Sequence, residues 1–402
     1  MELPTSDLKG MLVQEFDTTT LLSHARRQAK ERKYVDFPII DVDSHHYETE
    51  RFKEIIEYIE DPVLRHLAKS GQQSGRGNMF INQPGSQDMA GRVTRYPLRQ
   101  MEKTPPDSDR NVTLTTRWMD ATGIDIAMLF PTPMLQLGLH PQQEVESNMA
   151  FAYNRWLCER VLAVEPRIKS MLYLPFNDPE ACLRMVKEFG GKPGVNGFMV
   201  TTVRHKAVHD NAYMKTYRAI EELGVPLAFH AGYNWGDRNY ETANKFIVVH
   251  ALGFTFYNIV NICNWVVNGL NERFPKLKVM WLESGLAWLP FVMQRLDNEY
   301  MMRSSECPAL KKKPSEYITD MFYGCQPMEL TANSEMLEMT FKFIKAETQL
   351  LYASDYPHWD FDLPSVIYDL PFLNEQQKRQ IMGGNAMKLF GFPKFDKKLA
   401  KI

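Results

Sequence analysis

The sequence predicts an α/β protein built as a (β/α)8 TIM barrel, with an inserted cap segment after the first strand and an N-terminal arm. Three observations support this prediction: eight short apolar segments, helical periodicity between the later ones, and no glycine-rich phosphate loop of the kind a doubly wound sheet would carry. Strands that alternate with helices pair in parallel through right-handed crossovers, and eight such units close into a barrel.

The predicted strands begin where apolar Phe37–Ile40 runs into Asp41-Val42-Asp43, which gives a first strand at 37–43. The other strands are predicted at 124–130, 168–174, 195–200, 225–230, 277–283, 318–325 and 350–355. The later helices are predicted at 115–122, 142–164, 178–190, 211–223, 254–273, 286–301, 333–345 and 373–390.

The remaining segments divide the chain into an arm, a barrel, a cap and a tail. Residues 1–35 form the predicted arm, with one helix near 21–32, and residues 36–395 form the barrel. Within the barrel, 49–117 is expected to be an inserted cap beside the mouth, because so long an irregular segment is normally functional. Residues 396–402 are a C-terminal tail.

Composition narrows the class of protein. The 402 residues are 44% apolar and 12% aromatic, which is enough for a large core and excludes general disorder. A net charge of −2, with scattered basic residues, predicts neither nucleic-acid nor membrane partners. Five dispersed cysteines, no signal peptide and no uninterrupted apolar run near the ~20 residues of a membrane span predict a cytoplasmic protein.

Ionisable residues stand at the ends of four predicted strands. They are Asp43 and His45 on the first strand, His230 on the fifth, Glu283 on the sixth and Asp355 on the eighth. Taken singly, His230 could be a core histidine, Glu283 a helix N-terminal carboxylate and Asp355 a turn former. Taken together, they converge on one mouth, where three buried carboxylates would be costly without a cation. The sequence therefore predicts a metal site.

Five motifs carry a family resemblance: IDVDSHHYE, AFHAG, WLESGLAWLP, YASDYPH and GGNAMKLFG. In order and position they resemble the amidohydrolase superfamily, in the branch related to aminocarboxymuconate-semialdehyde decarboxylase, from about residue 38 to 391. The resemblance implies metal ligation by Asp43, His45, His230 and Asp355, with the sixth-strand residue as a second acid/base. The chain departs from that decarboxylase in having Asp-x-His rather than His-x-His, and Glu283 rather than histidine.

The cofactor prediction is one divalent metal ion, with zinc favoured and iron or manganese as alternatives. No lysine, glutamate or cysteine ends the fourth strand at Thr201, where the resemblance would place the bridging ligand of a binuclear hydrolase, so the resemblance implies a mononuclear site. Asp43 and Asp355 would formally neutralise the ion, so that its bound water is less acidic than in an all-histidine site. A protein base is then needed, and Asp355 or Glu283 could serve.

Four further residues lie near the predicted mouth, and each has two interpretations. Glu48 could bond a ligand histidine or simply begin a helix. His46 should point to the opposite strand face, where it could support a metal ligand or have a structural role rather than bind the metal itself. Arg204 could pair with a substrate carboxylate or lie on the surface. His358 could contact substrate or pack within its loop.

These observations predict a metal-dependent hydrolase or non-oxidative decarboxylase of a small carboxylated metabolite, with aromatic acids included. Two alternatives stay open: a non-haem iron oxygenase, mono- or dinuclear, on the same barrel, and a metal-stabilised non-catalytic subunit of a hetero-oligomer. The expected partners are a small-molecule substrate and either a second copy of the chain or a homologous subunit.

Overall fold

The computed structural model describes residues 18–74, 104–106, 108–202, 206–330, 334–358, 360–393 and 397. Part of the predicted arm (1–17), the middle of the predicted cap (75–103), Arg204 and most of the predicted tail lie outside the described residues.

Eight parallel strands in sequence order form the sheet within the described chain, which confirms the predicted barrel. They are β1 Ile40–His45, β2 Ile126–Phe130, β3 Ile168–Tyr173, β4 Val195–Thr201, β5 Leu227–His230, β6 Val279–Leu282, β7 Phe322–Gly324 and β8 Leu350–Leu351. The chain just beyond β8 returns to β1, because Val42 N donates to Tyr352 O (2.9 Å) and Asp355 N donates to Asp43 O (2.8 Å). These bonds bring the first and last strand ends together.

The α-helices alternate with the strands along the chain. In chain order they are α1 Thr18–Glu31, α2 Phe52–Ile55, α3 Pro62–Ser74, α4 Arg110–Thr122, α5 Gln143–Leu157, α6 Pro179–Phe189, α7 Met214–Leu223, α8 Phe246–Val267, α9 Leu270–Arg273, α10 Trp288–Arg303, α11 Pro314–Ile318, α12 Ser334–Phe343, α13 Ala346–Gln349, α14 Ser365–Tyr368, α15 Glu375–Arg379 and α16 Asn385–Phe390. Short 3₁₀ segments occur at Glu48–Arg51, Ile56–Tyr58, Pro133–Leu139, Asn211–Tyr213 and Ser304–Glu306, and π-helical turns at Cys158–Leu162 and Gln380–Gly384.

Local sequence explains where α4 begins and ends. The Asp109 side chain accepts hydrogen bonds from the backbone N–H groups of Asn111 and Val112, which would otherwise lack partners at the helix start. Gly123 ends the helix with φ +76°, a left-handed conformation that only glycine adopts without strain. The next strand, β2, follows three residues later, so these caps set the position of one wall of the mouth.

Aromatic packing fixes the segment after β8 over the barrel. Tyr356 stacks on Trp118 of α4 with ring centroids 3.9 Å apart, and both side chains are buried. Phe361 meets the Trp118 ring edge-on at 5.5 Å. Such contacts add to the burial free energy and hold the residues between them in one conformation. Asp355 and His358, which belong to this segment, are therefore rigidly placed.

Helix α8 bears on the expectation that no uninterrupted apolar run approaches the length of a membrane span. By length and composition alone it is the one helix in the described chain that could cross a membrane. That expectation considered uninterrupted apolar runs, and polar residues such as His250, Asn258 and Asn261 interrupt this one. Asn258 is buried and donates to Leu282 O at 3.3 Å, so one face of α8 packs on the barrel.

Candidate metal centre

Three of the predicted ligands meet at the carboxyl ends of β1 and β5. Asp43 Oδ1 lies 3.2 Å from His45 Nε2 and 3.3 Å from His230 Nε2, and the two imidazole nitrogens are 3.2 Å apart. All three side chains are fully buried. The alternation of β1 places Asp43 and His45 on one face, and parallel pairing of the barrel brings β5 to the same mouth.

Asp355 and Glu283 complete the predicted constellation. Asp355 Oδ1 lies 3.3 Å from His45 Nε2, and Glu283 Oε2 lies 3.4 Å from His230 Nδ1. Both residues have left-handed backbones, with φ +58° and +54°, directly after short strands. A side chain held at such φ costs about 1–2 kcal/mol, and strain of this kind concentrates at functional sites. The strained turns bring both carboxylates into the mouth.

The hydrogen bonds of the two histidines determine which nitrogen carries the proton. His45 Nδ1 lies 2.8 Å from Pro131 O, and His230 Nδ1 lies 2.9 Å from Ala231 O. Because a carbonyl oxygen only accepts, each Nδ1 must donate, and in the neutral rings both Nε2 lone pairs face the cluster. Asp43 Oδ2 is buried, with no hydrogen-bond partner among the described residues. Two lone pairs and a carboxylate in contact form a donor set that suits a divalent cation.

The electrostatics of the cluster are those of a site that attracts positive charge. Burial opposes ionisation of Asp43, but the charge of His230 and its hydrogen bond to the carboxylate outweigh burial, so the pKa of Asp43 lies well below its ordinary value. Burial lowers the pKa of His230, yet the charges of Asp43 and Glu283 prevail and raise it to about 9. Burial lowers the pKa of His45. Without a metal, the Asp43–His230 pair therefore holds a proton.

His358 lies inside the cluster. Its Nδ1 is 2.6 Å from Asp355 Oδ1 and 3.7 Å from Glu283 Oε1. Its ring stacks on that of His45, with centroids 4.2 Å apart, and its Nε2 lies 3.1 Å from Thr132 Oγ1. The side chain is fully buried. Of the two interpretations of His358, loop packing alone does not account for these contacts.

Glu48 supports a turn next to the cluster, whereas His46 lies outside the cluster. The buried Glu48 carboxylate accepts hydrogen bonds from Thr132 N (2.9 Å) and Met134 N (2.7 Å), so it holds the turn after β2 that supports two histidines. It also begins the 3₁₀ segment Glu48–Arg51. His46 points away from the cluster: its Nδ1 lies 3.1 Å from Asn111 Oδ1 and its Nε2 lies 2.7 Å from the Tyr153 hydroxyl.

Sequence reasoning missed Asp41, Thr132 and Ser354. Asp41 is fully buried beneath the cluster; its Oδ1 accepts from Ser354 N (2.8 Å) and Asp43 N (3.2 Å), and its Oδ2 contacts Ser354 Oγ. Burial raises the pKa of Asp41 to about 8. A carboxylate two residues before Asp43 on a buried strand was a visible signal for Asp41. Thr132 and Ser354 had none, because a hydroxyl beside a strand end is common.

Known proteins resemble this chain over most of its length. It is 26% identical to the gamma-resorcylate decarboxylase of Polaromonas sp. (strain JS666) over 290 residues, which cover 68% of this chain and 85% of the relative. It is 21% identical to the 2-amino-3-carboxymuconate-6-semialdehyde decarboxylase of Dictyostelium discoideum, with 67% of this chain and 73% of the relative covered.

Among solved structures, a dihydroxybenzoic acid decarboxylase from Polaromonas sp. JS666, with bound manganese and the inhibitor 2-nitroresorcinol, shares the fold. The TM-score is 0.61 at 18% identity, and the match covers 90% of this chain and 99% of the other. The amidohydrolase family model matches residues 42–392, a span that begins within β1 and includes every member of the buried cluster. The predicted resemblance is thus confirmed, and the chain belongs to the amidohydrolase family.

Proposed function

We propose that this protein is a metal-dependent, non-oxidative decarboxylase of a small aromatic carboxylic acid. The observation that supports this best is the buried cluster at the mouth, in which two imidazole nitrogens and Asp43 lie 3.2–3.3 Å apart. Curated relatives with sequence similarity over two thirds of the chain or more are decarboxylases of carboxylated substrates.

Asp43, His45, His230 and Asp355 would hold the divalent cation. When bound, the cation supplies positive charge that polarises a carboxylate or hydroxyl oxygen of the substrate. Two carboxylate ligands suit manganese as well as zinc or iron, and a similar structure contains manganese. Manganese is therefore the first metal to test, and the zinc preference inferred from sequence stays a prediction.

The chain's own carboxylates would manage the proton of the reaction. Decarboxylation breaks the bond between the ring carbon and the carboxylate, releases CO₂ and leaves an electron pair on the ring carbon, which must gain one proton. Asp355 and Glu283 are buried at the mouth beside the histidines, where one of them would deliver that proton to the ring carbon and then take a new proton from solvent. Phe130, whose ring lies 5.4 Å from that of His230, offers an apolar wall to a planar substrate.

The test begins with protein purified without added metal. Elemental analysis should find about one equivalent of metal, and manganese-loaded protein should release CO₂ from hydroxylated benzoic acids. Asp355→Ala should abolish turnover and leave the far-UV circular dichroism unchanged, with Asp355→Asn as the matched variant that tolerates the left-handed backbone. Wild-type rates in either variant would overturn the assignment.

Other results would select the alternatives. Incorporation of solvent oxygen into the product would indicate hydrolysis, and iron with oxygen uptake would indicate the oxygenase. No turnover together with a co-purifying homologue would indicate a non-catalytic subunit. Assembly as a homo-oligomer or with a homologous subunit, and a cytoplasmic location, stay predictions; sedimentation of the purified protein tests the first.

A further inference from the structure

We propose that His358 is a fifth protein ligand of the same cation. The site would then offer three imidazoles and two carboxylates, from Asp43, His45, His230, Asp355 and His358. This inference rests on the proposed function only in requiring that a divalent cation occupies the cluster. It goes beyond the family resemblance, which implies four ligands and places none of them in the loop after Asp355.

The position of the His358 ring is the first argument. Its Nδ1 lies 2.6 Å from Asp355 Oδ1, and that same oxygen lies 3.3 Å from His45 Nε2. Ligand atoms from these three residues all lie within 4.8 Å of one another, as do those of Asp43, His45 and His230. Both groups include His45, so they adjoin at its imidazole, and the proposal requires that the two groups close on one ion when it binds.

The second argument is how the ring is held. His358 Nε2 lies 3.1 Å from Thr132 Oγ1, on the side away from the cluster. The rings of His45 and His230 are held in the same way, with their outer nitrogens on the carbonyl oxygens of Pro131 and Ala231. A metal-ligating histidine usually donates its other N–H to such a partner, which fixes the ring and leaves the inner nitrogen free to coordinate.

The third argument is that one turn supports two of the three rings. Pro131 and Thr132 are consecutive residues, and they hold His45 and His358 respectively. Thr132 N in turn donates to the buried Glu48 carboxylate at 2.9 Å. The histidine rings also stack, with centroids 4.2 Å apart and planes 24° apart. Two imidazoles held by adjacent residues present their inner nitrogens to the same space.

The competing interpretation is that His358 only donates a hydrogen bond to Asp355. The Thr132 hydroxyl would then donate to Nε2, and Nδ1 would carry the proton. The two interpretations differ in the number of imidazole nitrogens bound to the metal. Five protein donors would also exceed the four of a tetrahedral zinc site and leave a six-coordinate ion a single position for substrate oxygen.

The experiment counts those nitrogens. Full-length protein with ¹⁵N-labelled histidine is loaded with Mn²⁺, and pulsed electron paramagnetic resonance measures how many imidazole nitrogens couple directly to the ion. We expect three in the wild type and two in His358→Gln, because glutamine can still bond Asp355 but offers no ring nitrogen. His250→Gln, a histidine on α8 outside the cluster, should keep three. Manganese affinity should fall at least ~10-fold in His358→Gln.

Thr132→Val provides a second variant should His358→Gln fail to fold. It keeps the imidazole but removes the hydroxyl that orients it, so one of the three couplings should weaken or disappear. Two coupled nitrogens in the wild type, unchanged in His358→Gln, would overturn this inference and leave the decarboxylase proposal intact. If the wild type binds neither Mn²⁺ nor any other divalent cation, both proposals fail.

Discussion

Replacing Asp41 by asparagine should stabilise the metal-free protein at neutral pH. Asp41 is fully buried, and among the described residues its carboxyl group has hydrogen-bond contacts with two backbone N–H groups and the Ser354 hydroxyl. Burial dominates over these hydrogen bonds and raises the pKa of Asp41 from 3.8 to about 8. Near pH 7 the folded protein therefore holds a neutral carboxyl, and asparagine is its closest match in shape and hydrogen bonding.

The magnitude follows from the two pKa values. Because the folded-state pKa lies above the unfolded one, the folded state binds the extra proton between pH 4 and 8, and stability decreases as pH rises through that range. Each pH unit costs about 1.4 kcal/mol of unfolding free energy, so the wild type should lose ~4 kcal/mol between pH 5 and 8 through this group. Asparagine does not titrate. The unfolding free energy of Asp41→Asn, relative to that of the wild type, should therefore increase by the same amount between pH 5 and 8.

Urea unfolding at several pH values, with a chelator present, measures this advantage as the difference in unfolding free energy between Asp41→Asn and wild type. Asp120→Asn, on the exposed surface of α4, serves as the control for net charge. A difference that stays constant from pH 5 to 8 would refute the neutral-carboxyl argument. So would a variant less stable than the wild type at pH 8.

Three further changes test the site and its support. Glu48→Gln replaces one of two acceptor oxygens with a donor facing a backbone N–H, so we expect a 10–100-fold loss of manganese affinity in a direct titration, without unfolding. Because the pKa of His230 is about 9 without metal, metal must displace a proton; apparent affinity should rise about tenfold per pH unit from pH 6 to 9, and a flat profile would contradict this. Gly383→Ala would place a methyl group 2.1 Å from Pro38 O and should cost about 1–3 kcal/mol in thermal denaturation, whereas Gly384→Ala meets only the flexible Gln380 side chain and should cost less.

The sequence located every strand because strand and helix periodicities differ, but the segment boundaries shifted. The strand predicted at 318–325 is only Phe322–Gly324, since helix α11 extends to Ile318. The helix predicted from 254 begins at Phe246, eight residues earlier. Both shifts arise in apolar segments, where composition does not distinguish a helix end from a strand or a loop.

The candidate ligands could be predicted from the sequence because a parallel barrel brings the carboxyl ends of all its strands to one mouth. Asp43, His45, His230 and Asp355 therefore did not need coordinates to be placed near one another.

The residues that hold the candidate ligands in place could be identified only from the tertiary structure. Thr132 lies 84 residues from Glu48 and 226 from His358, and Asp41 lies 313 residues from Ser354. These partners lie in turns and at strand ends. The periodicity of apolar residues there does not indicate which distant residue a side chain will contact. The sequence alone thus determined the barrel and which strand ends carry ionisable groups. Only the folded chain decided how each imidazole is oriented, because a hydrogen bond depends on positions within a few tenths of an ångström.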